Sequence, residues 1–375
     1  MRTLELPATA SPREWGRIHG EQFRTEVAAL AKIRLYLCAK LSGFSSEDQV
    51  LAAAAAHIPV LAQYDKSVHD ELVGIAEGAG LSPEAIVVAN HYTDLRDLDP
   101  KPGAWQPAPT HDDAAVQPSS TGAQPANSLP GDGCTVLWAE SPTGRILAQT
   151  WDMHATAIPY VMVLAVPESA TGPGARLLTV TGCLGMAGMN SARVGLAINN
   201  LHSTDATLGV VWPAIVRRAL RERTATAARD VIAGSPIGSG RHYMVADPTS
   251  AFAIEASGRR RKQVFAGGPS YCHTNHCLDP DIAARSNVPG SSTTFARMRW
   301  LQADLQRAPV ADLEDAWQRL GSDDGSAQSL CTNLSTPDSP HGAATCGAIA
   351  MNLDTGMVWV QQGLIHRVAP ERWPL

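Results

Sequence analysis

No run in this chain reaches the roughly 18 consecutive apolar residues that a membrane-spanning helix needs, and the opening residues hold no apolar block of the kind that marks a secretory signal. Neither a membrane partner nor export is expected. Basic side chains are not in excess: 30 Lys and Arg face 36 Asp and Glu, a formal net charge of −6, which argues against nucleic acid as the main partner. The one basic run, Arg259 to Lys262, falls between two strand-like segments and reads as a solvated hairpin turn. Signature loops are missing as well. There is no P-loop, no Gly-x-Gly-x-x-Gly opening a helix, no Gly-x-Ser-x-Gly elbow, no Cys-x-x-Cys and no His-Glu-x-x-His. Cysteine is sparse: seven residues, an odd set scattered along the chain, which points to reduced thiols in the cytoplasm and not to a disulfide framework.

What is present is ordinary globular composition, 44% hydrophobic and 18% charged over 375 residues, enough for one large core or two modest ones. Three parts can be told apart. Residues 1–96 read as helical. Ser11-Pro12-Arg13-Glu14 is a capping box with proline at the first helical position. Trp15, Ile18, Phe23, Val27, Leu30, Ile33 and Leu37 follow at near-helical spacing and predict one continuous helix. Further helix starts are expected near Ser45 or Ser46, near residue 65 and at Ser82-Pro83, with a stop at Gly78 or Gly80. Residues 97–133 form a linker rich in Pro, Ala, Ser, Thr, Gly and Gln, a composition that buries too little apolar surface to offset its ordering entropy. From residue 134 the pattern turns to strands: 134–139 and 145–151 flank a Ser-Pro-Thr-Gly turn as a hairpin, and more short apolar runs follow. Helical stretches near 210–222, 224–233 and 293–306 interrupt strands at 242–246, 251–256, 261–265, 346–352 and 357–361. The order suggests an α+β fold of stacked sheets covered by helices.

One spot carries more chemistry than any other. Cys134 follows Gly131-Asp132-Gly133 and opens an apolar strand just after the proline-rich segment. Cleavage between Gly133 and Cys134 would leave that cysteine with a free α-amine beside its own thiol. An α-amine has an ordinary pKa of about 7.7–8.0, so nucleophile and base would reside in one residue. Gly133 permits close approach at the preceding carbonyl, and Asp132 is placed to assist proton transfer. Cys272-His273-x-x-His276-Cys277 contains metal-binding residue types, but strand alternation puts Cys272 and His276 on one face and His273 and Cys277 on the other. No metal or other cofactor is expected.

Several blocks in a shared order resemble the self-processing penicillin-biosynthesis acyltransferases and related hydrolases, members of the N-terminal-nucleophile hydrolases. They are Asp132-Gly133-Cys134-Thr135, Glu140-Ser141-Pro142-Thr143-Gly144, Gln149-Thr150-Trp151-Asp152, Gly188 to Ala192, Gly195 to His202, His273 to Leu278 and, in the helical part, Gly74 to Ala79. The resemblance implies a four-layer αββα sandwich with a helical N-terminal pro-segment, cut at Gly133–Cys134 into two chains that stay together. It also implies Cys134 as nucleophile, Asp152 as the acid holding the new ammonium, and Asn275 as a donor to the oxyanion. Asn199 or Asn200 would supply a second donor. The family's Ser-Arg-Gly-Ala-Thr stretch corresponds here to Ser339 to Thr345, which contains no arginine, so acyl-CoA chemistry does not carry over. The expectation is an amidase that cleaves a small N-acyl amide through a thioester. Acyl-CoA-dependent N-acyl transfer is the alternative, and an unprocessed binding protein a more distant one.

Overall fold

The computed structural model describes residues 1–101, 105–112 and 133–375. Five helices fill the N-terminal part: α1 (Pro12–Gln22), α2 (Arg24–Leu41), α3 (Glu47–Tyr64), α4 (Lys66–Ala79) and α5 (Pro83–Asp97). Ser11, Ser46, Asp65 and Ser82 cap α1, α3, α4 and α5, each side chain accepting an otherwise orphaned backbone N–H, and Gly80 ends α4 with φ of 71°. The single helix predicted from Trp15 to Leu37 is in fact two. Phe23, at φ −120° and ψ 33°, breaks it, so that α1 lies along α4 while α2 packs with α5. Backbones touch at the α1–α4 seam. A Cβ on Gly16 would stand 1.9 Å from the Glu71 carbonyl oxygen, and one on Gly78 would stand 2.2 Å from that of Arg17.

The N-terminal part is not wholly helical, as the periodicity had suggested. A short strand, β1 (Arg2–Glu5), precedes the helices and pairs in parallel with β4 (Val161–Val166). It forms one edge of an eight-stranded sheet that continues through β5 (Ala175–Val180), β6 (Ala187–Asn190), β7 (Gly195–Asn200), β8 (Arg241–Ala246), β9 (Ala251–Ala256) and β10 (Arg261–Ala266). The second sheet has six strands. Its spatial order is β11 (Ser270–His273), β2 (Gly133–Ser141), β3 (Gly144–His154), β12 (Ala343–Asn352), β13 (Met357–Gln362) and β14 (Glu371–Pro374). The sheets stack face to face, β2 and β3 on β7, and β12 on β5 and β6.

Helices close both outer faces. α6 (Trp212–Ala219) joins α5 to α7 (Ala225–Ala233), which lies on β8 and β9; beyond the other sheet, α9 (Thr294–Arg307) meets β11 and α10 (Leu313–Leu320) meets β3 and β12. A one-turn helix, α8 (Pro280–Ala283), caps the loop after β11. The layer order is therefore α, β, β, α. The two-residue period of β2 serves both cores. Cys134, Val136 and Trp138 point into the larger core, whereas Leu137 and Ala139 join Leu301, Leu305 and Trp317 beneath α9 and α10.

The basic run is not a solvated turn. Arg260 and Arg261 are buried; Arg260 pairs with Asp112 and Asp281, Lys262 with Asp112, and Arg261 donates to the carbonyls of Pro109, Ala233 and Ser235. These contacts pin residues 105–112, a described stretch of the linker. That segment also exchanges backbone hydrogen bonds with Leu208, from Ala108 N–H at 2.9 Å and to the Gln106 carbonyl at 2.8 Å. No single helix among the described residues is long and apolar enough to cross a membrane.

Candidate active site

Strand pairing assembles the site. Gly133 lies opposite Asp152, Cys134 opposite Trp151, and Thr345 of β12 opposite Asp152 from the other side. The head of β2 and the end of β3 therefore meet where sequence reasoning placed the nucleophile and its acid. Thr345 donates its hydroxyl to Asp152 Oδ1 at 2.7 Å, which fixes the carboxylate beside the thiol. Cys134 is 2% exposed. Burial, and then the Asp152 charge, push its thiol up to about 12, while the backbone amides of Asn200 and Asp152 and the charge of Arg297 pull the other way. The thiol is therefore protonated at neutral pH unless a base takes its proton.

Asn275 reaches the same point from the turn after β11. Its Oδ1 accepts from the Cys134 backbone N–H at 2.8 Å, and its amide nitrogen donates to the Asn200 carbonyl at 3.0 Å. With residues 133 and 134 joined, this side chain thus grips the nitrogen of the bond before Cys134 and does not present its N–H to open space. The two other asparagines separate. Asn199 is fully buried and donates to the carbonyls of Cys134 (3.0 Å) and His273 (3.3 Å), so it holds the Cys134 backbone. Asn200 lines the adjacent pocket; its side-chain oxygen accepts from Arg241 at 3.0 Å, and its backbone amide faces the thiol.

Sequence reasoning missed Arg297. This buried residue on α9 donates to the Cys134 carbonyl and the Thr135 hydroxyl, both at 3.0 Å, and to Asn275 Oδ1 at 2.9 Å. A guanidinium is present after all, although not in the 339–345 stretch, where His341 instead contacts Thr156 Oγ1 at 2.9 Å. Nothing in the sequence sets Arg297 apart from other helical arginines. Gly133 completes the cluster: a Cβ there would stand 2.6 Å from Arg297 Nη2 and 2.9 Å from Asn275 Oδ1. Asp132, the other expected participant, lies outside the described residues.

Behind Asn199 runs a buried relay. His273 Nδ1 contacts Asn199 Oδ1 at 3.1 Å and its Nε2 contacts Glu255 at 2.8 Å, while the ring stacks on His242 with centroids 3.7 Å apart. The residues considered for a metal are engaged elsewhere. Cys272 packs on Met298, and His276 contacts Thr294 at 3.0 Å. Among the described residues no group of three His, Cys, Asp or Glu side chains is arranged to hold a metal ion. The pocket beside Cys134 takes its walls from both parts of the chain: Arg34, Asn90, Tyr92 and Thr93 from the N-terminal helices, and Asp152, Asn200, Trp212 and Asn275 from the sheets and their loops.

The αββα layers thus place a cysteine at the head of an inner-sheet strand, against an aspartate and an asparagine, in a chain whose relatives are acyltransferases. The family described as acyl-coenzyme A:6-aminopenicillanic acid acyl-transferase matches residues 139–352, more than half of the chain, and this protein belongs to it. The acyl-coenzyme A:6-aminopenicillanic-acid-acyltransferase 40 kDa form of Emericella nidulans is 24% identical over 305 residues, covering 80% of this chain and 77% of that protein. Among solved structures, a variant of conjugated bile acid hydrolase from Clostridium perfringens gives a TM-score of 0.46 at 10% identity, covering 64% of this chain and 92% of that one. Penicillin V acylase from Agrobacterium tumefaciens gives 0.36 at 12% identity, covering 64% of this chain and 84% of that one.

Proposed function

We propose that the protein is a cytoplasmic amidohydrolase that activates itself by cutting between Gly133 and Cys134. The observation that carries this reading is the grip on Cys134: its N–H is held by Asn275, its carbonyl by Arg297 and Asn199, and its thiol lies between the amides of Asn200 and Asp152. A buried structural cysteine needs none of these contacts. In processing, the sulfur attacks the Gly133 carbonyl carbon and the thiol proton passes to the departing nitrogen of Cys134. The C–N bond breaks to leave a thioester, which water hydrolyses to a Gly133 carboxylate and a free thiol. The new α-amine then acts as base. It takes the thiol proton, the sulfur attacks a substrate amide, and the proton is delivered to the leaving amine. Asp152 steadies the ammonium form, and the Asn200 backbone amide is the donor best placed for the oxyanion. Asn275 becomes a second such donor if its amide turns once the α-amine is free.

Water resolves the acyl thioester in this reading, and the substrate is a small N-acyl amide. Transfer to a second amine uses the same intermediate and is the alternative, with the named activity of the Emericella nidulans relative in its favour. The deciding experiment is an intact-mass spectrum of the wild type beside Cys134→Ala. The wild type should give two associated chains of about 14 and 26 kDa, the larger beginning at Cys134. The variant should stay at 39.7 kDa. Processing of Cys134→Ala, or an uncut wild type that still hydrolyses amides, sinks the proposal.

A further inference from the structure

Two arginines stand in the pocket wall beside Cys134, and only one has its charge met. Arg241 pairs with Asp94, donates to Asn200 Oδ1 at 3.0 Å, and lies 4.6 Å from the ring centre of Trp212. Arg34 of α2 is different. It is 3% exposed, and no carboxylate among the described residues lies within ion-pairing distance. Its Nη1 donates to the Ala89 carbonyl and its guanidinium rests 5.3 Å from the ring centre of Tyr92, but Nε is buried without a partner and Nη2 makes no hydrogen bond to a described residue. Two neighbours in the pocket wall are already engaged. Asn90 is saturated, donating to the carbonyls of Ile86 and Gly182 and accepting from the Leu184 N–H, and Tyr92 directs its hydroxyl at Met153. The one carboxylate in the described wall, Asp152, is engaged by Thr345.

We propose that Arg34 is the recognition point for a carboxylate on the substrate, so that the enzyme's amides are acidic ones. The inference rests on the amidase reading above and names its substrate class. A buried cation without a partner is costly to keep, and the cost is offset when an anion enters. The outer edge of the guanidinium at Nη2, which makes no hydrogen bond to a described residue, is the donor left for a carboxylate, with Nε sealed off beside it. A neutral amide of the same shape leaves that edge empty. The carboxylate can sit on the acyl half, as in an ω-carboxyacyl amide, or on the amine half, as in an N-acyl amino acid.

Three anilides separate these cases: glutaryl-4-nitroanilide with the acid on the acyl half, 4-(valerylamino)benzoate with it on the amine half, and valeryl-4-nitroanilide with none. In the wild type, kcat/KM for one of the acids should exceed that for the neutral compound by about 10- to 100-fold. Which acid wins identifies the half. Arg34→Leu should bring that ratio close to one, and Arg34→Lys, which keeps the charge without the fork, should retain part of it. Equal kcat/KM for all three compounds in the wild type, or a preference that survives Arg34→Leu, overturns the proposal. Intact masses of the variants report whether each still folds and processes. If the wild type hydrolyses no anilide, the amidase reading fails by itself, and Arg34 is judged by calorimetry on the Cys134→Ala chain. Tighter binding of glutarate than of glutaramide, lost in Arg34→Leu, sustains the carboxylate site; equal binding or none removes it.

Discussion

The backbone before Cys134 is gripped so closely that a Cβ at position 133 would have to displace Arg297 or Asn275. Gly133→Ala would drive a methyl group into Arg297 and Asn275, the two residues that hold the nitrogen and carbonyl of Cys134, and should slow self-cleavage at least tenfold, as followed by intact mass over time. Cleavage at the wild-type rate would mean that this grip has no part in the reaction. Arg297 gives a second test. Its Nη1 makes two charged hydrogen bonds, each worth about 1.5–3 kcal/mol. Arg297→Met should therefore lower the rate of processing or turnover by about 10- to 100-fold, and Arg297→Lys should recover part of it. A wild-type kcat in Arg297→Met would make the arginine a packing residue. That Cys134, Asp152 and Asn275 come together was legible in the sequence because they sit in short ordered blocks with the spacing of a known family. Arg297 was not, because it comes from a helix 163 positions away and nothing local distinguishes it.

Between elements, the tightest contact is the seam of α1 and α4. Gly16, Gly20, Gly74 and Gly78 let the two backbones touch, and a Cβ on Gly74 would lie 2.1 Å from the Arg13 carbonyl oxygen. Gly78→Ala should cost at least the 1–3 kcal/mol typical of overpacking, read as a lower thermal midpoint, while a surface change such as Glu47→Ala should leave it nearly unmoved. If both variants melt with the wild type, the seam is looser than described. Helix starts were readable because caps are local: Ser11, Ser46 and Ser82 each act through a backbone N–H three residues on. β1 was not readable, since a four-residue strand takes its identity from pairing with Met162 to Ala165, far along the chain. The basic run was misread for a related reason. Arg260 and Arg261 are met by residues distant in the chain, among them 109–112, and local composition carries no trace of those partners.

Across the molecule, buried polar contacts tie the N-terminal helices to the rest. Glu71 and Arg217 form a buried pair, and three buried histidines bridge the same boundary: His19 accepts from the Gly182 N–H, His57 contacts the Gly209 carbonyl, and His91 accepts from the Trp212 N–H. Burial lowers each of the three from 6.5 to about 3. Below about pH 6.5 the unfolded chain binds protons there that the folded chain refuses, so stability falls with pH across that window. Burial raises Asp94 to about 6, and its protonation in the folded state opposes the trend by one group between about pH 6 and 4. These four groups together should cost about 3 kcal/mol between pH 7 and 5.5, and other buried histidines such as His154 and His242, also lowered by burial, add to the same loss, visible as a fall of several degrees in the thermal midpoint. A midpoint that is flat or rises on acidification would contradict the neutral burial of these histidines. The pocket straddles this same boundary, with Arg34 and Tyr92 on one side and Cys134 and Asn275 on the other. If the chain is cut at residue 133 as proposed, Arg34 and Tyr92 would belong to one polypeptide and Cys134 and Asn275 to the other. The buried pair and the three histidines would then be among the ties that keep the substrate wall in register with the reactive groups.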